Sequence, residues 1–304
     1  MDGINTYFVS WAARQAGLKV ALSGLGGDEL FGGYQSTFRW TPRYQRIADV
    51  SAHVPSPLRS AIGFALAGAG LARRDAAKKI SALWNDSQSL PHPYYFARAL
   101  FAPPQVRELL RKSEPGAVAT GLPQFASKNG SHNALWWDWL NASAEQARTL
   151  DDFAAVSCLE ARSYLVNTLL RDTDSMSLAH SLEVRVPFLH HPLVEFVTSL
   201  PAAEKVRDGS PKALLVAALK DLLPAEVVAQ KKRGFTFPWQ QWLRGPLKEK
   251  VAAGLSALAP ALREVLDEQK VRDVWDAYLN GKTSWSRPWS LYVLNEWVKR
   301  HLLG

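Results

Sequence analysis

The chain has 304 residues, 47% of them hydrophobic and 21% charged, with a formal net charge of +8 and a single cysteine. A length of this order buries roughly three quarters of the unfolded surface, so no disulfide framework is needed, and one cysteine suits a reducing compartment. No basic segment followed by an apolar core opens the sequence, and the longest apolar run, Ala61 to Ala72, is shorter than the roughly 20 residues of a membrane span. The basic clusters at Arg73-Arg74, Lys78-Lys79 and Lys231-Lys232-Arg233 come without a zinc-finger, RNP or basic-zipper pattern and read as solvated helix faces. The expectation is a cytoplasmic protein with neither nucleic acid nor membrane as partner. On that reading the sequons at Asn85, Asn129 and Asn141 carry no meaning.

In chain order, the first clear element is a strand, Lys19-Val20-Ala21-Leu22-Ser23, preceded by a helix that breaks at Gly17 and followed by glycines. Apolar residues on both of its faces predict burial in a parallel sheet, and no second segment reads convincingly as a strand. The sheet is therefore expected to lie upstream of Met1, leaving 1–40 as strand plus glycine-rich loop and 41–304 as a helical portion. Residues 104–111 read as an amphipathic helix and 117–133 as a loop rich in Gly, Pro, Ser and Asn.

Thr149-Leu150-Asp151-Asp152 is a capping pattern that opens a helix with Phe153, Val156, Leu159, Tyr164, Leu165 and Leu169 near one face, expected to end near Leu170. Cys158 within it reads as a small buried hydrophobe. His191-Pro192 opens a helix that stops before Pro201, and Ser210-Pro211-Lys212 opens another that runs towards Pro224. The tail from Arg287 to Leu303 places Trp289, Tyr292, Val293 and Trp297 for one face. Twelve tryptophans without interleaved basic residues are expected to fill helix interfaces rather than stack on bases.

Chemistry concentrates directly after the strand, in Ser23-Gly24-Leu25-Gly26-Gly27-Asp28-Glu29-Leu30-Phe31-Gly32-Gly33-Tyr34. Glycines there let backbone amides approach an anion, a helix starting near Asp28 would aim its positive end at phosphate, and Asp28 with Glu29 offers carboxylates to magnesium. The stretch is neither a P-loop nor a Rossmann fingerprint, and on spacing alone it reads equally as an acidic turn that caps a helix.

Taken as S-G-x-G-x-D-E-x-F-G-G-Y, it resembles the signature of the synthetase domain of asparagine synthetases. Two further stretches follow in the family's order: Leu169-Leu170-Arg171-Asp172-Thr173-Asp174 through Ser181-Leu182-Glu183-Val184-Arg185-Val186-Pro187-Phe188-Leu189, and Lys232-Arg233-Gly234-Phe235 with Pro238 and Trp242-Leu243. The resemblance implies a mainly α chain with a remnant of an α/β parallel sheet, the C-terminal part of an adenine-nucleotide alpha-hydrolase-like (ATP pyrophosphatase) synthetase domain. It implies ATP-dependent activation of aspartate as an aspartyl-adenylate, then attack by ammonia derived from glutamine. ATP and magnesium are the implied cofactors.

Carried over by position, Asp28 serves the magnesium pyrophosphate, Ser23, Gly24, Gly26, Gly27 and Glu29 form the loop around it, and Lys212 contacts the phosphates. Read without the family, Lys212 is a solvated lysine in a first helical turn rather than a phosphate ligand. Glu183 and Arg185 read as a structural ion pair. Leu25 stands where some members have a glutamate proposed as general base, and His190 where they have aspartate.

The family's ATP-binding loop, S-G-G-x-D-S, does not occur, nor does a glutaminase with an N-terminal cysteine, so both are expected as missing partners of this chain. A homodimer stays open. Two rival readings remain: a cyclising relative such as a β-lactam synthetase, and a non-catalytic helical scaffold.

Overall fold

The computed structural model describes residues 2–68, 75–111, 132–207, 210–230 and 237–302. Helices make up most of it, and the chain forms two compact units, Met1–Pro42 with Leu135–Phe237 and Arg43–Ala134 with Pro238–Gly304. No helix among the described residues is long and apolar enough to cross a membrane. The expected loop up to residue 131, Arg73-Arg74 and Lys232 to Phe235 lie outside the described residues.

The first unit opens with a helix, Asp2–Gln15, and turns at Gly17 in the left-handed region (φ 84°), where a residue without Cβ is at ease. Strand β1, Val20–Leu22, follows and pairs in parallel with β2, Glu183–Arg185, in the register Val20↔Glu183, Ala21↔Val184 and Leu22↔Arg185. Two expectations are corrected here. The chain does supply β1 with a neighbour, which sequence reading passed over because three residues with a charge at each end carry no strand pattern. Nor is β1 buried on both faces: Val20 is 40% and Leu22 75% exposed, since a pair of three-residue strands presents an outer edge and an uncovered surface.

Asp151 caps the next long helix by accepting from the amides of Phe153 and Ala154, both at 2.9 Å. That helix does not end near Leu170. It is α-helical over Asp152–Glu160, π-helical over the ten residues Ala161–Leu170, and α-helical again over Arg171–Leu178. No proline or glycine interrupts it, and Asn167 Nδ2 donates to the Ser163 carbonyl (3.0 Å) inside the widened turns. Beyond them, Asp172 accepts the Gly3 amide at 2.7 Å and so caps the first helix.

The helix His191–Ser199 carries Pro192 in its first turn and stops before Pro201, as its sequence predicts. The following one is shorter than expected, Ala213–Ala218, and Lys212 is not in its first turn. Lys212 sits at the cap with φ 55° and ψ 34°, a left-handed conformation that L-residues adopt at a cost and that helix continuation forbids.

The second unit packs the helices Pro103–Leu109, Trp239–Arg244, Lys248–Ser256, Glu268–Leu279 and Ser286–His301 around Leu243, Val251, Leu255 and Val271, all essentially without exposure. Trp239 stacks on Trp285 (5.2 Å, 12°) and meets Trp289 at 4.6 Å, so these tryptophans fill helix interfaces. The tail helix turns Trp289 and Tyr292 to the core as its aromatic spacing suggests, but not Val293 or Trp297. Leu291, Tyr292, Asn295 and Val298 are buried, whereas Val293 is 45% and Trp297 52% exposed. Asn295 decides the phase, donating to the Gly254 carbonyl and accepting the Ala259 amide, both at 2.8 Å, bonds that a buried amide has to make.

Candidate functional site

Ser23 extends the β-ladder by donating its amide to the Arg185 carbonyl at 2.8 Å, and its hydroxyl receives the Leu25 amide at 3.4 Å. The chain then turns, with Gly27 N–H donating to the Gly24 carbonyl (3.2 Å). Gly26 has φ 90° and lies against Leu189, so a side chain there would be strained and obstructed at once. A Cβ on Gly24 would meet nothing within 4 Å, which leaves the loop open on that side. The amides of Gly24 and Gly26 have no protein acceptor among the described residues.

The helix Gly27–Phe31 follows and ends at Gly32 (φ 72°), with the Gly33 amide returning to the Asp28 carbonyl at 2.8 Å. From this helix Asp28 reaches Lys212: Nζ to Oδ1 is 2.8 Å, with the side chains 33% (Lys212) and 23% (Asp28) exposed. The resemblance assigns Asp28 to the magnesium pyrophosphate and Lys212 to the phosphates; the structure brings the two into direct contact.

Gly33 is required by that contact, because a Cβ on it would stand 2.6 Å from Asp28 Cγ and 2.7 Å from Lys212 Cε. A Cβ on Gly27 would lie 3.7 Å from Lys212 Nζ and 3.2 Å from the Phe188 ring. Phe188 and Leu189, from the second family-like stretch, thus form the floor under the loop, and Phe188 also packs edge-on against Phe31 at 5.9 Å.

Glu29 points the other way. It is 1% exposed, its backbone carbonyl accepts the Ser157 hydroxyl at 2.8 Å, and its carboxylate accepts from the Tyr34 hydroxyl. Burial, then the charges of Glu29 and Asp28, push the Tyr34 phenol far above its ordinary pKa, so it is a fixed neutral donor. Glu29 therefore shapes the helix from inside, whereas the Asp28 side chain, partly exposed, turns to Lys212.

That donor set bears on magnesium. Among the described residues no group of three or more histidines, cysteines or acids is placed to hold a metal. Magnesium, however, is commonly held by one or two carboxylates with substrate phosphates and water, and Asp28 offers one partly exposed carboxylate beside an ammonium. The residues fit a magnesium ion that arrives with a diphosphate.

The remaining expected residues lie apart from this contact. Glu183 and Arg185 form an exposed ion pair at 2.6 Å. His190 stands at the cap of the helix His191–Ser199 without a side-chain capping bond, and His191 lies 3.5 Å from Glu195. Cys158 is half-buried and burial raises its thiol pKa, with Arg162 opposing, which suits packing and not attack. Gly33, Phe188 and Tyr34 stand in the family-like stretches, yet nothing in their spacing marks them as site residues.

Comparison with known proteins gives a consistent result. The chain matches the family model for asparagine synthase over residues 2–299. It is 30% identical over 295 residues to putative asparagine synthetases (glutamine-hydrolyzing) of Mycobacterium tuberculosis and Mycobacterium bovis, a stretch covering 96% of this chain and 40% of each of those proteins. It is 26% identical over 248 residues to asparagine synthetase (glutamine-hydrolyzing) 1 of Bacillus subtilis, covering 81% of this chain and 35% of that one. The chain thus spans about two fifths or less of the length of these relatives. No solved structure matches it.

Proposed function

The chain belongs to the asparagine synthase family, and from that premise we propose that it forms the pyrophosphate-binding side of an ATP-dependent ligase that converts aspartate to asparagine. The observation that carries this reading is the Asp28–Lys212 pair, 2.8 Å apart beside a glycine loop that follows a parallel strand. The loop after such a strand is where α/β sheets commonly bind phosphates. On this reading Lys212 and the Gly24 and Gly26 amides take phosphate oxygens, and the left-handed backbone at Lys212 accompanies its contact with Asp28.

Magnesium, when bound by Asp28, would neutralise charge on the pyrophosphate as it leaves. Lys212 stabilises the same developing charge from its own side. Leu25 offers no proton acceptor, so charge stabilisation and positioning are what this loop contributes, and aspartate and glutamine-derived ammonia react outside it.

The two parallel strands belong, on this reading, to the edge of an adenine-nucleotide alpha-hydrolase-like sheet. Exposed Val20 and Leu22 on β1, with exposed Phe8, Val9 and Trp11 on the first helix, are the apolar surface that further strands carrying the ATP loop would cover.

Calorimetric titration with magnesium pyrophosphate tests the reading. Binding is expected for the wild type, at least about tenfold weaker binding for Lys212→Met, and loss of the magnesium dependence for Asp28→Asn. Equal affinity of wild type and Lys212→Met would overturn it.

A further inference from the structure

Upstream of Lys212, a second lysine approaches the same turn from behind. Lys205 ends the short helix Ala202–Lys205 and is only 4% exposed, a rare condition for a lysine. It has no salt-bridge carboxylate among the described residues. Its ammonium lies 5.5 Å from the centroid of the Phe153 ring. Burial lowers its pKa from the ordinary lysine value, with the charge of Asp151 opposing.

Phe153 in turn is set against the site. Its Cε2 is 2.7 Å and its Cζ 3.3 Å from the place a Cβ on Gly32 would take, and Phe38 lies against it at 4.8 Å between centroids. The ring therefore occupies the space that the missing side chain of Gly32 leaves. The next residue, Gly33, packs against Asp28 and Lys212. The Gly32–Gly33 turn is held between two lysines, Lys212 directly and Lys205 by way of a phenylalanine.

We propose that Lys205 is a positioning residue: through Phe153 it fixes the Gly32–Gly33 turn, and with it the placement of Asp28 relative to Lys212 that receives a diphosphate. The proposal rests on the pyrophosphate reading of that site. Methionine would fill the same space as the lysine stem, so if packing were the whole role no charge need be buried there. What the ammonium adds is an attraction to the ring face, stronger in dehydrated surroundings, that fixes the ring's tilt.

The test uses the full chain as Lys205→Met, Lys205→Arg and Phe153→Leu, with glycine-labelled amide spectra read beside magnesium pyrophosphate titrations. Lys205→Met is expected to shift or broaden the Gly32 and Gly33 amide signals, leave Gly281 in place, and weaken pyrophosphate binding about tenfold at nearly unchanged melting temperature. Lys205→Arg, which keeps a cation over the ring, is expected to restore both. Unchanged Gly32 and Gly33 signals in Lys205→Met overturn the proposal, as does an arginine variant no better than the methionine one, since packing alone would then explain the site. Should Lys205→Met fail to fold, Phe153→Leu decides by the same signals. If the wild type binds no pyrophosphate while the glycine signals respond as expected, the pyrophosphate reading falls and the hold of Lys205 on the turn stands.

Discussion

In the second unit, Leu243, Val251 and Val271 lie entirely out of water beside stacked Trp239 and Trp285. In the first, the strands are three residues long, Leu22 is 75% exposed, and the site residues meet where glycines let them. The second unit is held by buried area, and the site of the first, beside a buried core of its own, depends on close backbone approach, so the core and the site should fail differently when altered. Removing volume damages the former, and adding a single carbon damages the latter.

The largest effect expected from that contrast is Leu243→Ala, which should cost about 3 kcal/mol of stability by cavity formation, read by urea unfolding, while the folded fraction keeps its pyrophosphate affinity. Gly33→Ala should reverse the pattern. The new Cβ collides with Asp28 and Lys212, costing about 2 kcal/mol by overpacking and abolishing pyrophosphate binding. If Gly33→Ala binds like the wild type, geometry does not define the site and the comparison breaks.

A smaller effect separates Lys212 from the cores. Breaking a partly exposed ion pair should change stability by no more than about 1 kcal/mol, so Lys212→Met is expected to melt near the wild type even as binding falls. Smaller still is a pH dependence at Lys205. Its folded-state pKa is lowered, so just below the ordinary lysine value of about 10.4 the unfolded chain holds the proton and the folded chain releases it. Stability relative to Lys205→Met should therefore rise as pH climbs through that window, measured by denaturant midpoints; a fall would mean that the ammonium is favoured by its surroundings. Finally, a chain without S-G-G-x-D-S should not exchange pyrophosphate into ATP by itself, and exchange by the purified chain would end that expectation.

How much of this was legible in the sequence follows the same division. The glycine loop, its helix and the Asp151 cap were readable because each depends on local chemistry: missing Cβ atoms, a strand before them, a carboxylate two and three residues ahead of the amides it accepts. β2 was not, because Glu183-Val184-Arg185 becomes a strand only through pairing with β1, and a charged triplet announces nothing by itself. The tail helix was legible, and Trp289 and Tyr292 do turn to the core, but Val293 and Trp297 do not, because the buried face continues through Asn295, a polar residue that aromatic spacing passes over. Lys212 was placed in a first turn from Ser210-Pro211, yet its left-handed backbone accompanies a contact with Asp28 that no local pattern encodes. The roles argued for Phe153 and Lys205 had no signal at all, being a ring filling an absent side chain and a cation behind that ring.

The π-helical stretch Ala161–Leu170 has a consequence of its own kind. An α-helix advances about 100° per residue, so ten residues wound more loosely change the angle at which Arg171–Leu178 leaves. Deleting one residue there would let ordinary winding return, and would also swing Asp172 about a quarter turn away from the Gly3 amide it now caps. The stretch works as a phase adjuster along one rod, timing its far end to meet the first helix of the chain, so that a shorter and locally more regular sequence would make the fold worse.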